Sequence, residues 1–312
     1  MADIFKTEEI AVPNEFIGKF SAKNISVYLK REDLLHPEIS GNKFRKLKYN
    51  IQEAITQGRP KIVTFGGAFS NHIAATGAAG KMANIDTVGV IRGEELAVDL
   101  PKTLKSNPTL KFASSCGMEF KFISREEYRK KEDPDFLEAL RQELGDFYLV
   151  PEGGTNKLAI KGCEEILKPE DKAFDYICTS VGTGGTIAGI INSTSKDQKV
   201  LGFSALKGDF LTSEVKKFTK ADNWQISTSF HFGGYAKVNR ELINFINNFK
   251  KTYHIQLDPV YTGKLLFGIF AMIENGDFPD NAKILAIHTG GLQGIEGMNR
   301  RLAKKNLPLI EI

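Results

Sequence analysis

Three times in this chain a glycine-containing turn runs straight into a helix: at Ser40-Gly41-Asn42-Lys43-Phe44-Arg45-Lys46-Leu47, at Gly66-Gly67-Ala68-Phe69-Ser70-Asn71-His72 and at Gly182-Thr183-Gly184-Gly185-Thr186. A helix N-terminus offers unpaired backbone N–H groups and the positive end of the helix dipole, so three such junctions in one chain point to one shared anion site. The first junction sets a lysine on the opening turn of an amphipathic helix. Alone, Lys43 reads as a solvated surface charge, because lysine is rarely buried. Behind a Ser40-Gly41-Asn42 turn and cap, the positive helix end and partial burial both favour the neutral amine that forms a Schiff base with a carbonyl.

Between the junctions, strand-like runs at 61–65, 87–91, 119–123, 147–150, 174–178, 200–203 and 283–287 alternate with helical periodicity at 43–57, 71–82, 134–144, 156–167, 186–192, 240–252, 263–275 and 293–302. That alternation predicts an α/β fold. Asp133-Pro134 and Pro151-Glu-Gly-Gly154 punctuate the middle of the chain. If 47–150 is a small domain with its own sheet, 1–46 and 151–312 together build a larger one, and Lys43 falls in the cleft between them, where ligand pockets are preferentially found.

Other readings narrow the chemistry. The 182–186 loop fails the dinucleotide pattern GxGxxG because Ile187 stands at the third glycine, and no GxxxxGK[ST] stretch marks a triphosphate loop. Taken singly it is equally a plain strand-to-helix turn. Ser70 and Asn71 fit an N-cap, and His72 reads equally as a base or as a satisfied neighbour of that cap. Tyr261, Thr262 and Thr289 can each simply punctuate a turn. The histidines at 36, 72, 231, 254 and 288 show no HxxxH or HExxH spacing, so no metal site is expected. Cys116, Cys163 and Cys178 lack CxxC spacing and read as buried, inert thiols.

With 41% apolar and 26% charged residues, a net charge of +4 and no basic tract, the composition favours a small-molecule partner over nucleic acid or membrane. The opening MADIFKTEEIAVPNEF carries acidic residues where a signal peptide needs a basic and then an apolar run, and no stretch approaches the roughly 18 apolar residues of a membrane span. The expected location is the cytoplasm.

Taken together and in order, LKRED, GNKFRKL, GGAFSNH, GTGGT, DPVYTGK and HTGG resemble the pyridoxal-phosphate enzymes of the tryptophan synthase β-like fold, and within it the 1-aminocyclopropane-1-carboxylate deaminase and D-cysteine desulfhydrase family. The likeness runs from about Leu29 to Gly291. It implies a two-domain α/β fold of pyridoxal-phosphate fold type II, each sheet flanked by helices, an amino-acid substrate and a homodimer. It also implies that Lys43 carries pyridoxal 5'-phosphate and that Lys46 with Gly182, Thr183, Gly184, Gly185 and Thr186 binds the phosphate. Asn71 would bond the ring hydroxyl oxygen, Ser70 would receive the substrate carboxylate or relay a proton, and His72 would border the same space. Tyr235 and Tyr261 fall at the family's two active-site tyrosine positions, Tyr261 by its DPVY context and Tyr235 by spacing.

Two departures bear on activity. Thr262 stands where the deaminases carry a glutamate facing the pyridine nitrogen, and Thr289 where they carry leucine; both follow the desulfhydrase pattern. A hydroxyl leaves that nitrogen closer to neutral than a carboxylate does, and the weaker electron sink suits loss of a good leaving group better than cyclopropane opening. The resemblance thus implies a lyase converting D-cysteine to pyruvate, ammonia and hydrogen sulfide, with freed Lys43 as first candidate for the base and Ser70 and the tyrosines as relays. The alternatives are a deaminase giving 2-oxobutyrate and ammonia, elimination from D-serine derivatives or β-chloro-D-alanine, or a pyridoxal-phosphate carrier without turnover.

Overall fold

The computed structural model describes residue 5 and residues 12–312. Its six-stranded sheet runs in the order β1 (Asn14–Phe20), β2 (Ile25–Lys30), β10 (Lys283–Ile287), β7 (Tyr176–Val181), β8 (Lys199–Ser204), β9 (Trp224–Ser227). Only β1 and β2 pair antiparallel within it. A four-stranded, fully parallel sheet has the order β5 (Glu119–Ile123), β4 (Asp86–Arg92), β3 (Lys61–Gly67), β6 (Tyr148–Val150).

Parallel strands need apolar cover on both faces, and the side chains supply it by strict alternation. In the larger sheet, Tyr176, Cys178, Leu201, Phe203, Ile284 and Ala286 join one core, while Ile177, Val181, Val200, Leu285 and Ile287 join the other. In the smaller sheet Ile62 and Val150 face Ala75 and Ala78, and Val63, Phe65, Val88 and Val90 face Tyr128, Leu140 and Phe147. All three cysteines are free and buried within this framework. Among the described residues no helix is long and apolar enough to cross a membrane.

Helix α1 (Asn42–Thr56) ties the sheets together. Its apolar face, Phe44, Leu47, Ile51 and Ala54, lies in the smaller-sheet core, so the domain boundary expected at 46/47 falls inside a helix that packs as one piece. On its other side runs the helix Lys157–Cys163. A Cβ at Gly162 would stand 1.9 Å from the Arg45 carbonyl oxygen, and one at Gly189 would stand 2.5 Å from Cβ of Cys163. Glycine at both places lets the helix Gly185–Ser193, the helix Lys157–Cys163 and α1 stack at near-backbone contact. Arg45 is further held by a buried two-point pair with Glu32, at 2.9 and 3.0 Å.

Several elements depart from the expected bounds. The helix expected at 156–167 stops at Cys163, and just beyond it Glu165 accepts from Lys48 and Tyr49. The strand expected at 174–178 starts at Tyr176 and runs on through the buried hydroxyls of Thr179 and Ser180 to Val181. β1, β2 and β9 carry no separate sequence expectation. β1 and β9 are edge strands without a long apolar run, and β2, between β1 and β10, alternates buried Ile25, Val27 and Leu29 with half-buried Ser26 and Tyr28.

Gly162→Ala is expected to destabilise the protein by about 1–3 kcal/mol, the range for forcing an added methyl into a packed contact. A lowered urea midpoint at unchanged slope would register it, and an unchanged midpoint would mean that the two helices separate freely.

Candidate active site

The three glycine-to-helix junctions open onto one cavity of about 600 Å³, walled by elements of both sheets. Lys43, Lys46, Ser70, Asn71, His72, Gly182, Thr183, Gly184 and Thr186 line it, as do Tyr235, Tyr261 and Thr289. Of the residues expected at the site, Gly185 and Thr262 do not reach the wall.

Lys43 is placed by three local contacts. Gly41 caps α1 with φ +60°, and a Cβ there would lie 2.1 Å from the Thr289 carbonyl oxygen, so the chain passes only as glycine. Ser40 and Asn42 make no side-chain cap, contrary to the turn-and-cap expectation. Asn42 instead donates its Nδ2 proton to Thr186 Oγ1 at 2.8 Å, pinning the first turn of α1 to the first turn of the helix Gly185–Ser193. Lys43 follows directly. Burial, then the charge of nearby Lys46, brings its amine down from 10.5 to about 7.

Lys46 Nζ donates to Gly153 O and Thr155 Oγ1, both at 3.0 Å, and to Thr183 Oγ1 at 3.4 Å. These partners are all uncharged, and burial lowers its pKa. The amine sits against the 182–186 loop: Gly184 has φ +82°, and a Cβ at Gly185 would crowd Lys46 Nζ at 3.1 Å and Thr155 at 2.9 Å. A buried ammonium without a counter-charge among the described residues, beside a glycine loop at a helix N-terminus, fits the phosphate of pyridoxal phosphate. Gly185 contributes its missing side chain from just behind the wall.

At the second junction, α2 (Asn71–Ala83) is capped by Ser70, whose Oγ accepts from the N–H groups of His72 at 3.2 Å and Ile73 at 3.4 Å. The cap leaves the Ser70 proton free for the cavity. Asn71 projects beside Gly291, where a Cβ would stand 2.7 Å from its Nδ2. His72 is fixed by Thr64. The Thr64 hydroxyl gives its proton to Val150 O at 2.8 Å, so His72 Nε2, also at 2.8 Å, is the donor to Thr64 and Nδ1 carries the lone pair. Burial and the two lysine charges hold the ring neutral, well below its ordinary pKa, and Nδ1 is buried without a hydrogen-bond partner among the described residues. His72 is therefore an oriented acceptor and a poor base.

The tyrosine rings meet edge to face with centroids 6.3 Å apart. Tyr261 packs over Gly182, where a Cβ would approach its ring to 3.2 Å. Burial, then Tyr235 and Asp258, pushes the Tyr261 phenol well above 10, so it keeps its proton and serves as a donor. Tyr235 is 48% exposed at the rim.

The two threonines separate. Thr289 Oγ1 stands 3.3 Å from Ser180 Oγ on the cavity wall. Thr262, expected to face the cofactor ring, is instead fully buried: its hydroxyl donates to Asp258 Oδ2 at 2.7 Å and accepts from the Asp258 N–H at 2.9 Å. Asp258 also accepts from the N–H groups of Val260, Tyr261 and Thr262, organising the turn that presents Tyr261. Sequence reading missed Asp258 and Ser180 at this site. An aspartate just ahead of a helix start is a capping signal, and the end of a parallel strand is where open α/β sheets bind ligands. Among the described residues no cluster of His, Cys, Asp and Glu is arranged to hold a metal ion.

The family model described as "Pyridoxal-phosphate dependent enzyme" matches residues 13–290. The chain is 32% identical over 294 residues to the mitochondrial bifunctional D-cysteine desulfhydrase/1-aminocyclopropane-1-carboxylate deaminase of Arabidopsis thaliana, covering 86% of this chain and 73% of that protein. It is 26% identical to the D-cysteine desulfhydrase of Yersinia pestis (strain Pestoides F), over 91% of this chain and 90% of that one. The crystal structure of an ACC deaminase homologue superposes with a TM-score of 0.79 at 26% identity, covering 97% of this chain and 99% of that one.

Two outcomes are expected. In cofactor-free protein with ¹³C-methylated lysines, the Lys43 resonance should titrate with a midpoint of about 7, losing its proton as pH rises through that value; a midpoint near that of the surface lysines would contradict the burial described. Lys46→Met should weaken equilibrium binding of pyridoxal phosphate by roughly ten- to a hundredfold, as follows from losing a charged hydrogen bond of about 1.5–3 kcal/mol.

Proposed function

The chain belongs to the pyridoxal-phosphate-dependent enzymes, and from that premise we propose that it eliminates the β-substituent of a D-amino acid, D-cysteine foremost, giving pyruvate, ammonia and hydrogen sulfide. The observation that carries this reading is the absence of a free carboxylate where the cyclopropane deaminases have one. Position 262 is a threonine spent on Asp258, Asp258 itself accepts four hydrogen bonds at its own helix start, and the nearby wall offers the Ser180 and Thr289 hydroxyls.

Lys43, Lys46 and the 182–186 loop would hold pyridoxal phosphate, which when bound would supply the electron sink for the carbon bearing the amino group. Asn71, on the cavity wall, would bond its ring oxygen. The substrate carboxylate is received at the N-terminus of α2, where the Ser70 hydroxyl and backbone N–H groups lie. Lys43, brought to about 7, is the base that takes the α-proton, since an amine titrating near neutrality is both available and strong enough. The Cβ–S bond breaks with its electron pair on sulfur, and Tyr261, which keeps its proton, donates to the departing sulfide with Tyr235 beside it. The released enamine takes up water to give pyruvate and ammonia. His72, neutral and oriented by Thr64, borders the pocket as an acceptor.

A second reading, opening of 1-aminocyclopropane-1-carboxylate to 2-oxobutyrate and ammonia, is supported by the names of the Arabidopsis relative and of the superposed structure.

Cofactor-loaded protein should release sulfide and pyruvate from D-cysteine and neither from L-cysteine, and Lys43→Ala should lower turnover by about 10²–10⁴-fold, the range for a positioned acid–base group. 2-Oxobutyrate from the cyclopropane, with no sulfide from D-cysteine, would establish the second reading in its place.

A further inference from the structure

The 258–264 turn ends in a lysine that sits 1% exposed on the first turn of the helix Thr262–Glu274. Among the described residues Lys264 has no ion-pair partner within hydrogen-bond reach. Its Nζ donates to two main-chain carbonyls, His231 O and Gly234 O, both at 2.8 Å. Those carbonyls belong to an unusual loop. Phe232, Gly233, Gly234 and Ala236 take φ of +53°, +95°, +111° and +52°, and two of them are not glycine, so the backbone is held where L side chains rarely go.

The leading side of this loop is anchored apart from the lysine. Phe232 packs edge to face on Phe267 at 4.9 Å, and Phe230 lies against Gly268, where a Cβ would stand 2.9 Å from its ring. The segment that follows these anchors carries Tyr235, whose ring meets Tyr261. Tyr261 is the residue capping the same helix, one turn before Lys264. One buried ammonium therefore links the element bearing one tyrosine to the element bearing the other.

We propose that Lys264 is a positioning residue for Tyr235: by gripping the carbonyls of His231 and Gly234 it holds the strained loop so that Tyr235 lies against Tyr261 at the cavity wall. The inference rests on the reading above in which this tyrosine pair handles the proton of the departing group. Burial lowers the Lys264 amine to about 8 against the opposing attraction of Asp258. The other titratable or charged groups around the loop are Tyr261, His231, whose Nδ1 accepts the Gly233 N–H at 2.8 Å, Tyr235, Lys237 beside Gly233 and Lys207 beside Gly234. As pH rises through about 8 the amine loses its charge and its grip on the carbonyls weakens, so the loop loosens on the alkaline side.

The test combines amide exchange with a double-mutant cycle on the cofactor-loaded enzyme. Lys264→Met should speed exchange across 231–237 by roughly tenfold while the helix at 262–274 stays protected. It should lower kcat by about tenfold alone, yet by less than about twofold in a Tyr235→Phe background, because both changes remove the same placed phenol. Unchanged exchange across 231–237 would overturn the proposal, and so would losses that multiply, since a purely structural lysine acts independently of Tyr235. Should Lys264→Met fail to fold, the wild-type loop serves: corrected for intrinsic rates, its protection should fall as pH rises through about 8, and flat protection would overturn the proposal. Full turnover by Tyr235→Phe alongside a loosened loop in Lys264→Met would remove Tyr235 from the proposed reaction while leaving the lysine tie standing.

Discussion

The site depends on backbone meeting backbone around α1. At its start the chain passes against the Thr289 carbonyl at Gly41, and one turn later the Arg45 carbonyl lies against Gly162. Neither contact tolerates a Cβ without movement, so the register of α1 against the larger sheet is set by sterics rather than by side-chain choice. The Asn42–Thr186 hydrogen bond then fixes its rotation about the first turn. With those three contacts in place, Lys43 and Lys46 have one position each relative to the 182–186 loop. Without them the same residues would be two surface cations on an amphipathic helix.

Charge is distributed with the same economy. Away from the cavity, buried Arg45 and Lys30 have carboxylate partners, Glu32 and, at 2.8 Å, Asp171, while Lys264 is met by main-chain carbonyls. In the cavity, Lys46 is met by hydroxyls and a carbonyl, and Lys43 is pushed toward neutrality. A buried positive charge left unpaired is costly in the empty site and is relieved by an anion, so the protein stores part of the affinity for a phosphate as unfavourable electrostatics. Burial and the two lysine charges keep His72 neutral, while burial, with Tyr235 and Asp258 beside it, keeps Tyr261 protonated.

Much of this was legible in the sequence because it is carried by glycine. Gly41, Gly184 and Gly185 mark places where a side chain is forbidden, and turn residues ahead of apolar periodicity announce helix starts with little ambiguity. The alternation of β7, β8 and β10 with helices likewise gave the fold class. What could not be read were facts of three-dimensional adjacency. Nothing local distinguishes Thr262 from Thr289, each a threonine beside glycine, yet one is consumed by Asp258 and the other reaches the wall. Just past the short helix Lys157–Cys163, Glu165 finds its partners Lys48 and Tyr49 over a hundred residues away. Lys264 looked like one more polar residue on a helix, and its task depends on a loop whose conformation no propensity describes.

The claim on which the account turns is that Lys43, among the 42 lysines and arginines of the chain, carries the cofactor. Borohydride reduction of the pyridoxal-phosphate-loaded protein, followed by proteolysis and mass spectrometry, locates the phosphopyridoxyl group directly. The geometry predicts a single modified peptide with the label on Lys43. A label on Lys46 or on any other lysine, with Lys43 unmodified, would contradict the placement of α1 against the glycine loop and the mechanism built on it.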